Sequence, residues 1–243
     1  MALVRPWRAW PAKAPVLPLL ALGVTMAGVI LLFYLAIERL PLALAIALQF
    51  LGPLAIAVLG SRRPRDLLWA VLAAAGVWLL LGVQSPSHSV GPVGVLFALG
   101  AACGWAAYIL LGRVVSRSFG ASTGALSLSL ATLVILPVGI AEAGAALVSP
   151  AILPLALLVA VFSTVIPFSL EFYALPRLPA RTFAVMTSME PMFGVLAGYL
   201  ILQEGLTAAH LLGVASVVAA AGGAAWSAAR AEPTRPASDL IAG

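Results

Sequence analysis

Charged residues are scarce in this chain of 243 residues: 13 Lys and Arg and 8 Asp and Glu make up 9% of it. A soluble domain needs roughly a quarter of its residues charged to cover its surface. The composition therefore excludes an ordinary water-soluble fold. Hydrophobic residues make up 63% of the chain, and in a bilayer such side chains face lipid while helices satisfy the backbone. We predict an all-α integral membrane protein.

Cysteine and catalytic signatures are also scarce. Cys103 is the single cysteine, so no intrachain disulfide can form, and its apolar surroundings are typical of a packing residue. The sequence contains no nucleophile with a paired His and Asp, no metal-ligand spacing and no phosphate-binding glycine loop. We therefore expect no enzyme activity, no cofactor and no metal. The net charge of +5 is explained below by membrane topology, without a nucleic-acid partner.

Eight apolar runs have about the 20 residues that span a bilayer, and turn or charge signals separate them. We label them a to h in chain order: 16–37, 41–60, 66–83, 91–112, 121–141, 150–173, 180–202 and 207–228. Run a follows a basic stretch but is too long for a signal peptide, so we predict a membrane helix. The tail at 229–243 is predicted to be disordered.

The basic residues test this count of eight spans. If the chain crosses the membrane at every run, 12 of its 13 Lys and Arg fall on the side of the N-terminus, and only Arg39 falls on the other. Cytoplasmic loops are the ones enriched in Lys and Arg. Residues 1–15 and 229–243 are therefore both predicted to be cytoplasmic, and the protein to lie in the plasma (inner) membrane.

Two parts of the sequence repeat each other. Phe-Tyr at 33–34, near the end of run a, is followed by Arg-Leu-Pro at 39–41, and the same two motifs recur at 172–173, at the end of run f, and at 177–179. Pro53 of run b then falls on Pro191 of run g, so runs a, b and c repeat as f, g and h. Because a and f are five runs apart, they cross the membrane in opposite directions. Inverted repeats of this kind are typical of secondary transporters.

The second copy is longer than the first. Runs d and e precede f, whereas only a short basic segment precedes a. We therefore expect a 3+5 bundle, with an incomplete repeat of three helices at 16–83 and a repeat of five helices at 91–228. The ancestral arrangement would be 5+5, and the first repeat would lack its two leading helices.

These motifs resemble the EamA-type branch of the drug/metabolite transporter (DMT) superfamily. The resemblance rests on residues 172–179, on Glu190-Pro191, on Gly205 and on the glycine-containing stretch 213–222. Residues 32–54 are similar to the threonine/homoserine exporters of that branch. The resemblance implies a fold of ten helices, five plus five, and transport of small molecules.

Glu190 is the main candidate for the transport pathway. It lies within run g, where an ionised carboxylate is costly and normally faces a cavity or a partner, so it could exchange a proton against substrate. The alternative is a protonated Glu190 that hydrogen-bonds a neighbouring helix. Pro191 removes a backbone donor and permits a local break. Gln49 and Pro53 lie at the corresponding depth of run b, where Gln49 either binds substrate or packs between helices.

Four aromatic residues are further candidates. Trp105 and Tyr108 lie three positions apart on one face of run d and suit a cavity wall, where an aromatic ring could contact a substrate ammonium. Tyr34 and Tyr173 lie near span ends, where an interfacial aromatic belt is the ordinary explanation.

Run f carries an acidic residue and a proline. Glu171 lies near its cytoplasmic end, and we favour an interfacial ion pair with Arg177 or Arg181 over a place in the pathway. Pro167 is predicted to kink the helix, with Thr164 or the serine before it satisfying freed carbonyls.

We expect a secondary carrier that exports amino acids such as threonine and homoserine, or related small metabolites, by proton-coupled alternating access. One alternative is a DMT carrier for amines, drugs or nucleotide-sugar-like metabolites, and another is a truncated, non-transporting membrane subunit. The expected partners are the lipid bilayer, a small-molecule substrate and protons. Small-xxx-small patterns such as Gly100 and Gly104 leave a homodimer open.

Overall fold

Helices make up the regular structure of the chain in the computed structural model. It describes residues 15–59, 67–82, 91–120, 122–144, 146, 149–167, 170, 189–203 and 207–231, and none of these forms a β-strand. An apolar chain satisfies its backbone hydrogen bonds in this way without needing strand partners.

The helices are, in chain order, α1 (Val16–Ile37), α2 (Leu42–Gln49), α3 (Leu51–Leu59), α4 (Leu67–Gly82), α5 (Pro92–Phe119), α6 (Ser122–Ala143), α7 (Leu153–Ala160), α8 (Glu190–Leu200) and α9 (Ala208–Ala231). A π-helical turn, Val161–Val165, follows α7. Within the described ranges, four helices are long and apolar enough to cross a bilayer: α1, α5, α6 and the Ala208–Ser227 part of α9. They fall in runs a, d, e and h.

Several boundaries differ from the predicted ones. Helix α5 continues to Phe119, seven residues beyond the predicted end of run d. Arg113 and Arg117 end the apolar run, but they leave the backbone hydrogen bonding of the helix intact. Gly120 ends the helix at φ +50°, a left-handed conformation that glycine adopts readily. Helix α9 reaches Ala231, inside the segment predicted to be disordered. Residues 1–14 and 232–243 lie outside the described residues.

Helices α1, α5 and α6 form a three-helix unit. Gly94 near the start of α5 meets Leu40 just after α1, whereas Leu19 near the start of α1 packs with Val115 near the end of α5, so these two helices are antiparallel. Glycines bring the helices close: a Cβ on Gly104 would lie 2.7 Å from a methyl of Val29.

Helix α6 also packs on α1 and runs parallel to it. Leu19 and Leu22 pack with Leu126, and further along α1 Ala27 packs with Ala131. Gly23 lies between these contacts, directly against the side chain of Leu130.

A second unit is formed by α4 and α9, which are antiparallel. Gly76 and Gly213 lie back to back, since a Cβ on Gly76 would lie 2.7 Å from the Gly213 carbonyl and a Cβ on Gly213 would lie 2.9 Å from the Gly76 carbonyl. At the other end of the pair the ring of Trp69 covers Gly223, and the indole N–H of Trp69 donates a hydrogen bond of 3.3 Å to Ser227 Oγ.

Helix α2 occupies the centre of the described bundle. Six of its residues and the following Phe50 are buried, in a stretch interrupted only at Ile46: Ala43, Leu44, Ala45, Ala47, Leu48, Gln49 and Phe50. The apolar residues of this stretch share a core cluster with Ala98 of α5, Leu80 of α4, Val195 of α8 and Val214 and Val217 of α9. Whatever α2 carries at its C-terminal end therefore lies inside the bundle.

Candidate functional site

The described parts of runs b and g are in contact. A Cβ on Gly194 of α8 would overlap the side chain of Ile46 of α2, so the Ile46 side chain packs directly on Gly194. Pro191, Gly194, Val195 and Gly198 are the buried residues of α8, and their spacing forms one face of the helix. Small residues on this face allow the close approach.

Gln49 ends α2 within the core and is 6% exposed. Pro53, four residues later, has no N–H and cannot donate the helical hydrogen bond that the Gln49 carbonyl would otherwise accept. The interruption is local, since the Phe50 N–H still donates to the Ile46 carbonyl at 2.9 Å. Gln49 thus combines a side-chain amide with a backbone carbonyl that lacks its helical N–H donor, in an otherwise apolar region.

The interrupted helix, α2 and α3, packs on α5. The ring centroids of Phe50 and Trp105 are 6.4 Å apart with an interplanar angle of 65°, an edge-to-face contact. A Cβ on Gly52 would overlap the carbonyl of Ala102, so the helix backbones touch beside Pro53. The sequence did not single out Phe50, although its position next to Gln49 in mid-span was the available signal.

Glu190 is the first residue of α8, and its side chain is exposed. It lies at the edge of the face that Pro191 and Gly194 bury, because it precedes Gly194 by about one helical turn. A carboxylate at the N-terminus of a helix is favourable, since the unpaired N–H groups there carry partial positive charge. Residues 180–188, the predicted first part of run g, lie outside the described residues.

Tyr108 and Trp105 have different neighbours despite their spacing. Trp105 contacts Phe50, whereas Tyr108 packs with Leu19, Leu22 and Val115 between α1, α5 and α6. The apolar neighbours of Tyr108 thus belong to the three-helix unit of α1, α5 and α6.

Tyr34 is half exposed near the end of α1 and makes an edge-to-face contact with Phe33, with centroids 6.2 Å apart. Glu171 and Tyr173 lie outside the described residues. Where the structure describes the chain, no three His, Cys, Asp or Glu side chains gather in a way that could hold a metal ion.

Helices of membrane length and closely packed glycines together define a multi-pass membrane protein. Residues 92–225 match the EamA-like transporter family, and the chain belongs to this family, within the drug/metabolite transporter superfamily. A membrane transporter of this kind contacts lipid and a small-molecule substrate.

The chain is similar to proteins named threonine/homoserine exporter RhtA. It is 44% identical to those of Salmonella typhimurium strain LT2 and Escherichia coli strain K12 over 223 residues, which cover 92% of this chain and 76% of each relative. It is 28% identical to the uncharacterized transporter YwfM of Bacillus subtilis strain 168, over 87% of this chain and 72% of that protein. No solved structure matches the chain.

Proposed function

We propose that the protein is a secondary carrier that exports amino acids such as threonine and homoserine by proton-coupled alternating access. The packing of α2 against α8 carries this proposal, because two proline-containing segments related by the sequence repeat meet inside the bundle. Discontinuous helices of related repeats form the substrate sites of many secondary transporters. The 44% identity to the exporters supports the choice of substrate.

The proposed architecture has eight spans in two inverted repeats, at 16–83 and 91–228, with both termini in the cytoplasm. The observed helix directions support it. If the chain crosses the membrane at every run, a must be antiparallel to d, parallel to e, and c antiparallel to h. The contacts of α1 with α5 and α6, and of α4 with α9, agree with all three requirements.

The same alternation makes runs b and g antiparallel. Gln49 lies three residues after Ile46, and Pro191 lies three residues before Gly194, a rise of about 4.5 Å on each helix. In antiparallel helices both steps go in the same direction, so the contact between Ile46 and Gly194 supports a position of Gln49 level with Pro191. Glu190 is the residue immediately before Pro191. In this proposal the Gln49 amide and the Glu190 carboxylate lie on the two sides of one pathway.

The chemistry of these groups suits a zwitterionic substrate. The Glu190 carboxylate accepts hydrogen bonds from the substrate ammonium or takes up a proton, so that the two compete for it and their movements are coupled. The Gln49 amide donates to the substrate carboxylate or hydroxyl. Trp105 forms an aromatic wall through its contact with Phe50.

The remaining candidates receive peripheral roles in this proposal. Tyr34 and Tyr173 belong to the aromatic belts at the membrane interfaces. Glu171 forms an interfacial ion pair with Arg177 or Arg181. Tyr108 stabilises the packing of α1 on α5 and α6, in agreement with its neighbours.

Efflux from cells that lack their own threonine and homoserine exporters tests the proposal. Cells that express the chain and are loaded with these amino acids should release them faster than cells that express a Glu190→Gln, Gln49→Leu double variant at equal membrane abundance. Equal release would contradict the amino-acid assignment. Release of amines or nucleotide-sugar-like metabolites instead would support the alternative of another DMT substrate.

A further inference from the structure

Helix α9 begins with a capping box that contains a histidine. The Thr207 carbonyl accepts a helical hydrogen bond of 3.1 Å from the Leu211 N–H, so Thr207 is the N-cap residue. The Thr207 hydroxyl accepts from the His210 N–H at 3.3 Å, and the Thr207 N–H donates to His210 Nδ1 at 3.3 Å. In the usual capping box a Glu or Gln side chain occupies the position of His210. Here the reciprocal acceptor is an imidazole, whose charge changes near neutral pH.

These contacts determine which ring nitrogen of His210 carries the proton. A backbone N–H can only donate, so Nδ1 is the acceptor and the proton of the neutral ring is on Nε2. The Thr207 hydroxyl lies 3.1 Å from the same Nδ1 and donates to it as well. A second proton on the ring would occupy Nδ1 and oppose both donors. It would also bring a positive charge to the first turn of a helix, where the unpaired N–H groups already carry partial positive charge.

The surroundings of His210 are largely apolar. Its side chain is buried, and α9 packs on α2, α3, α4 and α8. In the described ranges of these four helices, the titratable residues are Glu190 and Tyr199, both on α8. Glu190 begins α8, at the end opposite to the turn that leads into α9, and Tyr199 is half exposed. On α9 itself the nearest charged residue is Arg230, twenty positions further along. Residues 204–206, which include Glu204, lie outside the described residues.

The turn that follows the capping box packs tightly on α4. A Cβ on Gly213, three residues after His210, would lie 2.7 Å from Leu80 Cγ and 2.9 Å from the Gly76 carbonyl. Leu80 is fully buried, and with Val214 it belongs to the core cluster that surrounds α2. The capping box is therefore one helical turn away from the contact that joins α9 to α4 and to the core.

We propose that His210 is a second proton-binding site, separate from Glu190, and that its protonation opens the capping box and loosens the first turn of α9 from Leu80. In the proposed architecture run h begins on the periplasmic side, so the proton comes from the periplasm. The side of the membrane rests on the proposed function, whereas the opening of the box rests on the hydrogen bonds of Thr207 and His210. Periplasmic acid then acts on the carrier through α9 as well as through the proton gradient.

Two substitutions separate the proton from the cap. His210→Gln keeps an acceptor for the Thr207 N–H without a change of charge, whereas His210→Ala removes the acceptor. The midpoint of thermal unfolding of the purified full chain in detergent is measured at about pH 8 and about pH 5, on either side of the ordinary titration of histidine. The folded chain holds the neutral ring and the unfolded chain takes up a proton, so acid lowers the stability. We expect the unchanged chain to lose about 2–4 °C more than His210→Gln between these values. At the higher pH, His210→Ala should unfold below both.

A cysteine at the buried contact reports the loosening of α9 directly. Leu80→Cys is made in a Cys103→Ala background, with and without His210→Gln. At about pH 5 its thiol should react with a maleimide several times faster when His210 is present than when His210→Gln replaces it, and at about pH 8 the two rates should be equal. Comparing the two chains at the same pH cancels the effect of pH on the thiol itself.

Three outcomes would overturn the inference. Equal loss of the unfolding midpoint in the unchanged chain and in His210→Gln would mean that His210 is not the proton-binding site. Equal midpoints of the unchanged chain and His210→Ala at the higher pH would mean that the box does not stabilise α9. Equal maleimide rates at the lower pH would mean that α9 stays packed on Leu80. None of these measurements involves transport, so they are independent of the assignment of threonine as substrate.

Discussion

Glu190 is the residue on which proton coupling depends in this account, because it combines a titratable group with the start of a proline-containing helix. We predict that Glu190→Gln lowers proton-driven threonine export by roughly tenfold or more, since the amide neither exchanges a proton nor attracts an ammonium. Threonine efflux with and without a protonophore measures this effect.

Glu142→Gln is the matched control for this prediction. Glu142 is exposed in the last turn of α6, a helix that packs mainly on α1 and α5. Its removal should leave export unchanged. Export by Glu190→Gln at the normal rate and with normal sensitivity to the protonophore would remove Glu190 from the coupling mechanism.

Gly52 shows why the repeat is asymmetric at the site. The separation that carries Pro53 onto Pro191 carries Gly52 onto Glu190. A side chain at position 52 would meet the Ala102 carbonyl, so the first copy has no room for a second carboxylate there. One acidic group therefore serves both halves in the proposed mechanism.

Gly52→Ala should destabilise the protein by about 3 kcal/mol, because the added methyl forces α3 away from the α5 backbone. The midpoint of thermal unfolding in detergent measures the change. Gly28→Ala is the control: this helical glycine has nothing within 4 Å of the added methyl, and alanine favours a helix by about 1 kcal/mol. A tolerated Gly52→Ala would mean that α3 and α5 are not in contact.

At the scale of the elements, the contribution of the contact between α4 and α9 to the free energy of unfolding can be measured separately. The ring of Trp69 lies on Gly223. We expect Gly223→Ala to cost about 1–3 kcal/mol alone and much less in a Trp69→Leu background, where the ring is gone. A double-mutant cycle on thermal unfolding would give a coupling of about 1 kcal/mol or more. Additive effects would contradict the contact.

The sequence predicts helices where hydropathy alone determines them. Run a, at 16–37, has the same ends as α1, and run e differs from α6 by only one residue at the start and two at the end. The end of α5 was misplaced because Arg113 and Arg117 change the hydropathy but leave the helix intact up to Gly120. Hydropathy measures transfer into lipid, whereas a helix ends where its hydrogen bonds end.

The candidate site was only partly predictable. The repeat indicated that runs b and g meet, and α2 contacts α8 at Gly194. It did not indicate that Trp105 and Tyr108 have different neighbours. Helix α5 is apolar around most of its circumference, so the sequence gives little information about which helix each of its faces contacts.

At the scale of the whole molecule, the proposed orientation has a direct consequence. Glu38 and Arg117 are exposed and lie at opposite ends of α5, which is 28 residues and therefore about 42 Å long. In a Cys103→Ala background, we predict that Glu38→Cys reacts with a membrane-impermeant maleimide in intact cells. Arg117→Cys should react only after permeabilisation. The reverse pattern would invert the orientation proposed from the basic residues.

The central claim is that this chain exchanges threonine for protons, and transport by the purified protein tests it most directly. Proteoliposomes with an acidic interior and the chain in their membrane should accumulate labelled threonine above its external concentration, because outward proton flow drives inward movement of the amino acid. A protonophore should abolish the accumulation. Threonine that fails to enter, or that only equilibrates at a rate independent of the pH gradient, would contradict the account.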